Sequence, residues 1–176
     1  MNNYQQINQV AKHQGIVFLG SSYLHELPIC ELAQDFETDL PVHNRSIDGM
    51  TIESVCDNLE SCVVELDPAK VFISIGDVDV KDPDLNIDKF IEKYQWMLYT
   101  LHNRSNAKIY IVSVLSPLPA AALINEKLKR LAKESGCQYI DAVQAIRSEK
   151  PLLRLFDILR FYMRSHPITF REAMRA

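Results

Sequence analysis

Hydrophobic residues along this chain follow two rhythms. Five short runs are almost continuously apolar: residues 16–20 (IVFLG), 40–47 (LPVHNRSI), 70–76 (KVFISIG), 107–114 (AKIYIVSV) and 137–143 (CQYIDAV). Three of them are nearly unbroken in β-branched or aromatic residues, which is how a strand covered on both faces reads. Between them the spacing changes to that of a helix. Ile52, Val55, Cys56, Leu59, Cys62, Val63 and Leu66 recur at i, i+3, i+4 and i+7, and Thr51 stands in front as an N-cap. Ile87, Phe90, Ile91, Tyr94, Met97, Leu98 and Leu101 repeat the stripe, as do Ile124, Leu128, Leu131 and Ala132. A weaker helix is predicted over 23–36, interrupted near its start by Pro28. Strand alternating with helix predicts a parallel sheet with helices on both sides, a three-layer α/β arrangement. The segments 81–85 (KDPDL) and 116–120 (SPLPA) read as turns after strands. No repeat or linker interrupts residues 1–176, so one domain is expected.

Composition adds exclusions. With 176 residues, 47 % hydrophobic and 24 % charged, the chain can bury a sizeable core. A net charge of −4 argues against a nucleic-acid partner. Residues 147–176 are locally basic, which reads first as a solvated helix face. The polar N-terminus and the lack of any long apolar run predict neither a leader nor a membrane span. Cys30, Cys56, Cys62 and Cys137 form no metal-binding spacing, so reduced cysteines, no metal and a cytoplasmic protein are expected.

In a parallel α/β sheet ligands collect at the carboxyl ends of the strands. The first run ends in Gly20-Ser21-Ser22, and a helix starts at once. A phosphate loop would need further glycines, but bulky Tyr23 and Leu24 follow. A phospho-acceptor site would need acidic residues after the first strand. Two readings remain for Ser22: a helix N-cap, or a nucleophile at a helix N-terminus whose dipole favours developing negative charge. The other strand ends supply Asn44 to Gly49 and Gly76-Asp77-Val78-Asp79.

Four of these stretches together resemble the SGNH (GDSL-like) hydrolases, in order from residue 15 to 174. VFLGSSYLHEL resembles the family's first block, G-D-S, and NRSIDGMTIESVCDNL its second, N-R-G-I-S-G-D-T. VFISIGDVDV resembles the third, G-x-N-D, and MRSHPITFREAM the fifth, D-x-x-H-P. The resemblance implies a five-stranded parallel sheet in flavodoxin-like order 2-1-3-4-5. It implies Ser22 as nucleophile, His166 as general base, and the N–H groups of Ser22 and Gly49 as the oxyanion hole. Ser21, Asn44, Asp77, Val78 and Asp79 would line the site. No cofactor or metal is implied, and the partner is a small-molecule ester.

The departures are chemical. Ser21 replaces the aspartate of the first block, Val78 the asparagine of the third, and Met163 the aspartate that orients the histidine. One lost oxyanion donor costs ~10²–10³ in rate, and a lost orienting carboxylate roughly 10⁴ in serine proteases. The expectation is therefore slow hydrolysis of small acyl esters through a Ser22–His166 dyad. The alternative is a catalytically impaired protein of the same fold that binds a ligand or partner. Oligomeric state and substrate are not legible.

Overall fold

The computed structural model describes residues 3–36 and 38–164. Five parallel strands, β1 (Ile16–Gly20), β2 (Val42–Asn44), β3 (Lys70–Ser74), β4 (Lys108–Val112) and β5 (Gln138–Ile140), form one sheet in the order β2-β1-β3-β4-β5. Ile16 is in register with Val42 and Lys70, and Gly20 with Ser74. The carboxyl ends of β1, β2 and β3 thus lie side by side. The helices are α1 (Asn3–Asn8), α2 (Ser22–Glu26), α3 (Ile29–Asp35), α4 (Ile52–Cys62), α5 (Ile87–Arg104), α6 (Pro119–Glu134) and α7 (Pro151–Met163).

The unbroken apolar runs arise because the sheet has two buried faces. Alternate residues point to opposite sides of a strand. Val17, Leu19, Val71, Ile73, Ile109 and Ile111 meet α4, α5 and α6 on one side. Ile16, Phe18, Phe72, Tyr110 and Val112 meet α2, α3 and α7 on the other. Phe18, Phe72 and Tyr110 stack across three neighbouring strands, with ring centroids 4.7 and 4.5 Å apart.

Two boundaries differ from the sequence expectation. The helix predicted over 23–36 is two helices, because Pro28 cannot continue α2 and instead stands as N-cap of α3. The segment 116–120 is only in part a turn, since Pro119 opens α6, where its missing N–H costs nothing. The basic stretch contains α7, whose Leu155, Phe156, Leu159 and Met163 are buried. Its charges lie on a helix with a full core face.

Gly20 closes β1 where the chain turns into α2. A Cβ there would stand 2.7 Å from Leu24 Cδ1 and 2.8 Å from the Ser74 carbonyl oxygen of the adjacent strand. The carbonyl belongs to the ladder and cannot yield. Gly20→Ala is expected to cost ~1–3 kcal/mol, the usual penalty of overpacking, read as a lower urea midpoint with an unchanged m-value.

Candidate active site

The site is built where β1, β2 and β3 end. Ser21, with extended backbone, is the N-cap of α2, yet its buried hydroxyl has no hydrogen-bond partner among the described residues. Ser22 is the first helical residue and does not cap the helix. Its Oγ donates to Asp48 Oδ1 across 3.3 Å. The N-cap reading of Ser22 is thereby corrected: the capping position is one residue earlier, which leaves the Ser22 hydroxyl to a partner outside the helix.

Backbone pairing past the end of β2 brings the second segment to Ser22. Arg45 N–H donates to the Phe18 carbonyl at 2.8 Å, and Ile47 N–H to the Gly20 carbonyl at 3.0 Å. Asp48 and Gly49 follow directly. Gly49 has φ +76°, a left-handed conformation that a side chain would strain, and its Cβ position is open space. Asn44 fixes the segment against α2. Its Nδ2 donates to the Leu24 and Leu27 carbonyls, and its Oδ1 accepts from Ser46 N–H. Asn44 therefore has a positioning role, with its amide engaged on both sides. Buried Arg45 points elsewhere, donating to Asn8 Oδ1 at 2.7 Å and lying 4.3 Å from the centre of the Tyr4 ring, so it holds α1 in place.

The third segment is tied to the second by Asp79. Its carboxylate accepts from Ile52 N–H, at 3.2 and 3.3 Å, at the first turn of α4. A negative charge at a helix N-terminus is favourable. Thr51 and Ser54 complete the start of that helix with a reciprocal capping box. Burial nevertheless raises the Asp79 pKa, opposed by the Ile52 hydrogen bond and reinforced by the charge of Asp77. Asp77 itself is 8 % exposed. Burial raises its pKa, and a hydrogen bond with the Ser22 side chain pulls it down. Val78 is half-buried and offers no side-chain donor.

Ser22, Asp48, Gly49 and Asp77 thus share one edge. His166 lies outside the described residues. Met163 is described and sits in the core that α2, α3 and α7 form over the sheet. A carboxylate there would be buried among apolar side chains, so this position is a core position. The C-terminal end of α7 is held at the opposite edge. Lys70, the first residue of β3, donates from Nζ to the Tyr162 carbonyl at 2.8 Å and to the Arg164 carbonyl.

Two features escaped the sequence reading. Asp48 replaces a serine of the second block and faces the Ser22 hydroxyl. A cleft of about 400 Å³ opens at the ends of β4 and β5 and is lined by Tyr23 of α2. Its polar lining includes Glu126, Lys129, Asp141 and Arg147. Only the three-dimensional meeting of α6 with the segment after β5 brings these together. Among the described residues no three His, Cys, Asp or Glu side chains are grouped to hold a metal ion, and no helix is long and apolar enough to cross a membrane.

Among solved structures the whole architecture recurs. A Bacteroides fragilis protein described as an acylhydrolase superposes with a TM-score of 0.78 at 16 % identity, over 93 % of this chain and 95 % of that one. A GDSL-like lipase from Bacteroides thetaiotaomicron gives 0.75 at 17 %, over 92 % and 97 %. The chain has the SGNH hydrolase fold. An acetyl xylan esterase also shares it, with a TM-score of 0.66 at 20 % identity over 75 % of this chain and 79 % of that one. No family model matches the sequence, and no curated protein matches it significantly. At these identities the likeness is one of fold, and the chemistry of this chain rests on its own residues.

Proposed function

We propose that this protein is a slow serine ester hydrolase acting on small acyl esters, with Ser22 as nucleophile. The observation that carries the reading is the position of Ser22. It is the first helical residue after a buried strand, its hydroxyl is free of any capping bond and meets a carboxylate, and Gly49 follows that carboxylate directly. In this reading the N–H groups of Ser22 and Gly49 receive the oxyanion, and water then releases the acyl group. The esterase and acylhydrolase neighbours support the same class of reaction.

In the dyad form of this reading His166 takes the serine proton. One observation weighs against that form and favours the second reading, a catalytically impaired ligand-binding protein. Arg164 is held at the amino edge by Lys70, whereas Ser22 lies at the carboxyl edge. The four steps of β3 separate the edges by about 13 Å.

The reading is tested with p-nitrophenyl esters of increasing acyl length. Hydrolysis above the buffer rate, falling from acetate to octanoate, is the expected result. Buffer rates throughout, with a small molecule retained in the cleft, would favour the binding protein. Val78→Asn is expected to raise turnover by up to ~10², the lower end of what one added oxyanion donor contributes.

A further inference from the structure

We propose that Asp48 is the general base that takes the Ser22 proton, in the role that the family resemblance gives to a histidine. The proposal rests on the Ser22 reading above and names the residue that completes it.

Asp48 is presented to Ser22 by a turn. Met50 N–H donates to the Ile47 carbonyl at 3.1 Å and closes residues 47–50. Gly49 stands third in that turn with φ +76°, the place that a type II turn gives to glycine. Asp48 stands second, and its Oδ1 accepts from Ser22 Oγ at 3.3 Å. The turn is fixed to the corner that carries Ser22, because Ile47 N–H donates to the Gly20 carbonyl at 3.0 Å. Hydroxyl and carboxylate are thus held by backbone on both sides, so little orientational freedom is lost on reaction. The bond is longer than the usual ~2.5–3.0 Å of an O–H···O contact, as catalytic hydrogen bonds often are before substrate binds. Asp48 is exposed and Ser22 half-buried, so an ester, its leaving alcohol and water can all reach the pair. The other groups at this edge are placed differently. Asp79 accepts from the Ile52 N–H, His25 Nδ1 lies 3.1 Å from the Ser46 carbonyl oxygen, and Asp77 is 8 % exposed at the end of β3.

Charge supplies a second argument. Asp48 directly precedes Gly49, whose N–H receives the oxyanion in this reading. A carboxylate that stayed ionised there would oppose the oxyanion. One that takes the serine proton becomes neutral as the oxyanion forms, so the base role removes the conflict.

The step balances without a cofactor. Ser22 Oγ forms a bond to the ester carbonyl carbon while its proton passes to Asp48 Oδ1, and the carbonyl π pair moves onto oxygen. Collapse of that intermediate breaks the bond to the alcohol oxygen, which takes the proton from Asp48. Water then attacks the acyl carbon and gives a proton to Asp48. The bond to Ser22 Oγ breaks, and that oxygen recovers the proton as the acid leaves. A carboxylate is a weaker base than imidazole, which is consistent with slow turnover.

The test is p-nitrophenyl acetate hydrolysis by the full chain as wild type, Asp48→Ala, Asp48→Ser, His166→Gln and Ser22→Ala, with folding checked by urea midpoint. Asp48→Ala is expected to lose ~10²-fold or more, the usual share of a general base. Asp48→Ser, which keeps a hydrogen-bonding oxygen but no basic group, should lose as much. His166→Gln should keep the wild-type rate. Added formate should restore part of the rate in Asp48→Ala and none in Ser22→Ala, because a small carboxylate can occupy the space vacated. A wild-type rate in Asp48→Ser overturns the proposal, since that variant restores the serine of the family's second block. Failure of formate to rescue Asp48→Ala overturns it too and leaves Asp48 only holding the hydroxyl in place. Loss of activity in His166→Gln with full activity in Asp48→Ala overturns it and leaves Ser22 as nucleophile. Equal rates for wild type and Ser22→Ala overturn the underlying reading instead.

Discussion

Ser22→Ala is expected to bring p-nitrophenyl acetate hydrolysis down to the rate in buffer, whichever group serves as base. The mutation removes one hydroxyl from a half-buried position and leaves the turn at Gly20 and the N-cap at Ser21 unchanged. The fold should tolerate it within about 0.5 kcal/mol, as for surface substitutions that break no named feature. The chemistry should not. Within one catalytic unit, loss of the nucleophile costs about as much as loss of every member. What survives in serine proteases is a residual ~10³–10⁴ from oxyanion hole and binding. Here that residue should be smaller, because Val78 supplies no side-chain donor and the carboxylates of Asp48 and Asp77 oppose a nearby oxyanion.

Phe72→Ala should give the largest loss of stability. Phe72 is fully buried on the central strand β3, with Phe18 stacked on one side at 4.7 Å and Tyr110 on the other at 4.5 Å. Truncation of a buried Phe costs about 3–5 kcal/mol, and two aromatic pairs are lost at once, each worth ~0.5–1.5 kcal/mol. The cavity would sit between ladder-bonded strands, which cannot close over it. Against a typical stability of ~5–15 kcal/mol this is a large fraction. At ~2–4 °C per kcal/mol, the melting temperature should fall by roughly 10 °C or more, measurable by calorimetry. Phe72→Leu, which keeps most of the volume, should cost clearly less.

The sheet was legible because its strands are buried on both faces. Ile16 to Leu19 and Val71 to Ile73 alternate between two cores, so no polar position interrupts them. The order of the strands came from the family resemblance, since periodicity alone says nothing of which strand is central. The break at Pro28 was visible as a weakness and became two helices. The core stripe of α7 is present as Leu155, Phe156, Leu159 and Met163, on the helix whose basic residues read as a solvated face.

The candidate site was legible in part. Its position at the strand ends follows from parallel topology, which brings Ser22, Gly49 and Asp77 to one edge. Depth is a property of packing and was not readable. Asp48 and Asp77 look alike in sequence, yet one is solvated and the other is 8 % exposed beside Ser22. The His166-Pro167 match was a two-residue signal. It carried no information about α7 crossing the sheet to the Lys70 edge before that point.

Covalent labelling tests the central claim most directly. The wild-type chain, incubated with a fluorophosphonate and digested, should carry one phosphonyl group on the peptide containing Ser22. Ser22→Ala should carry none there. Absence of label at Ser22, together with equal ester hydrolysis by the two proteins, would contradict the account and leave the serine without a nucleophilic role.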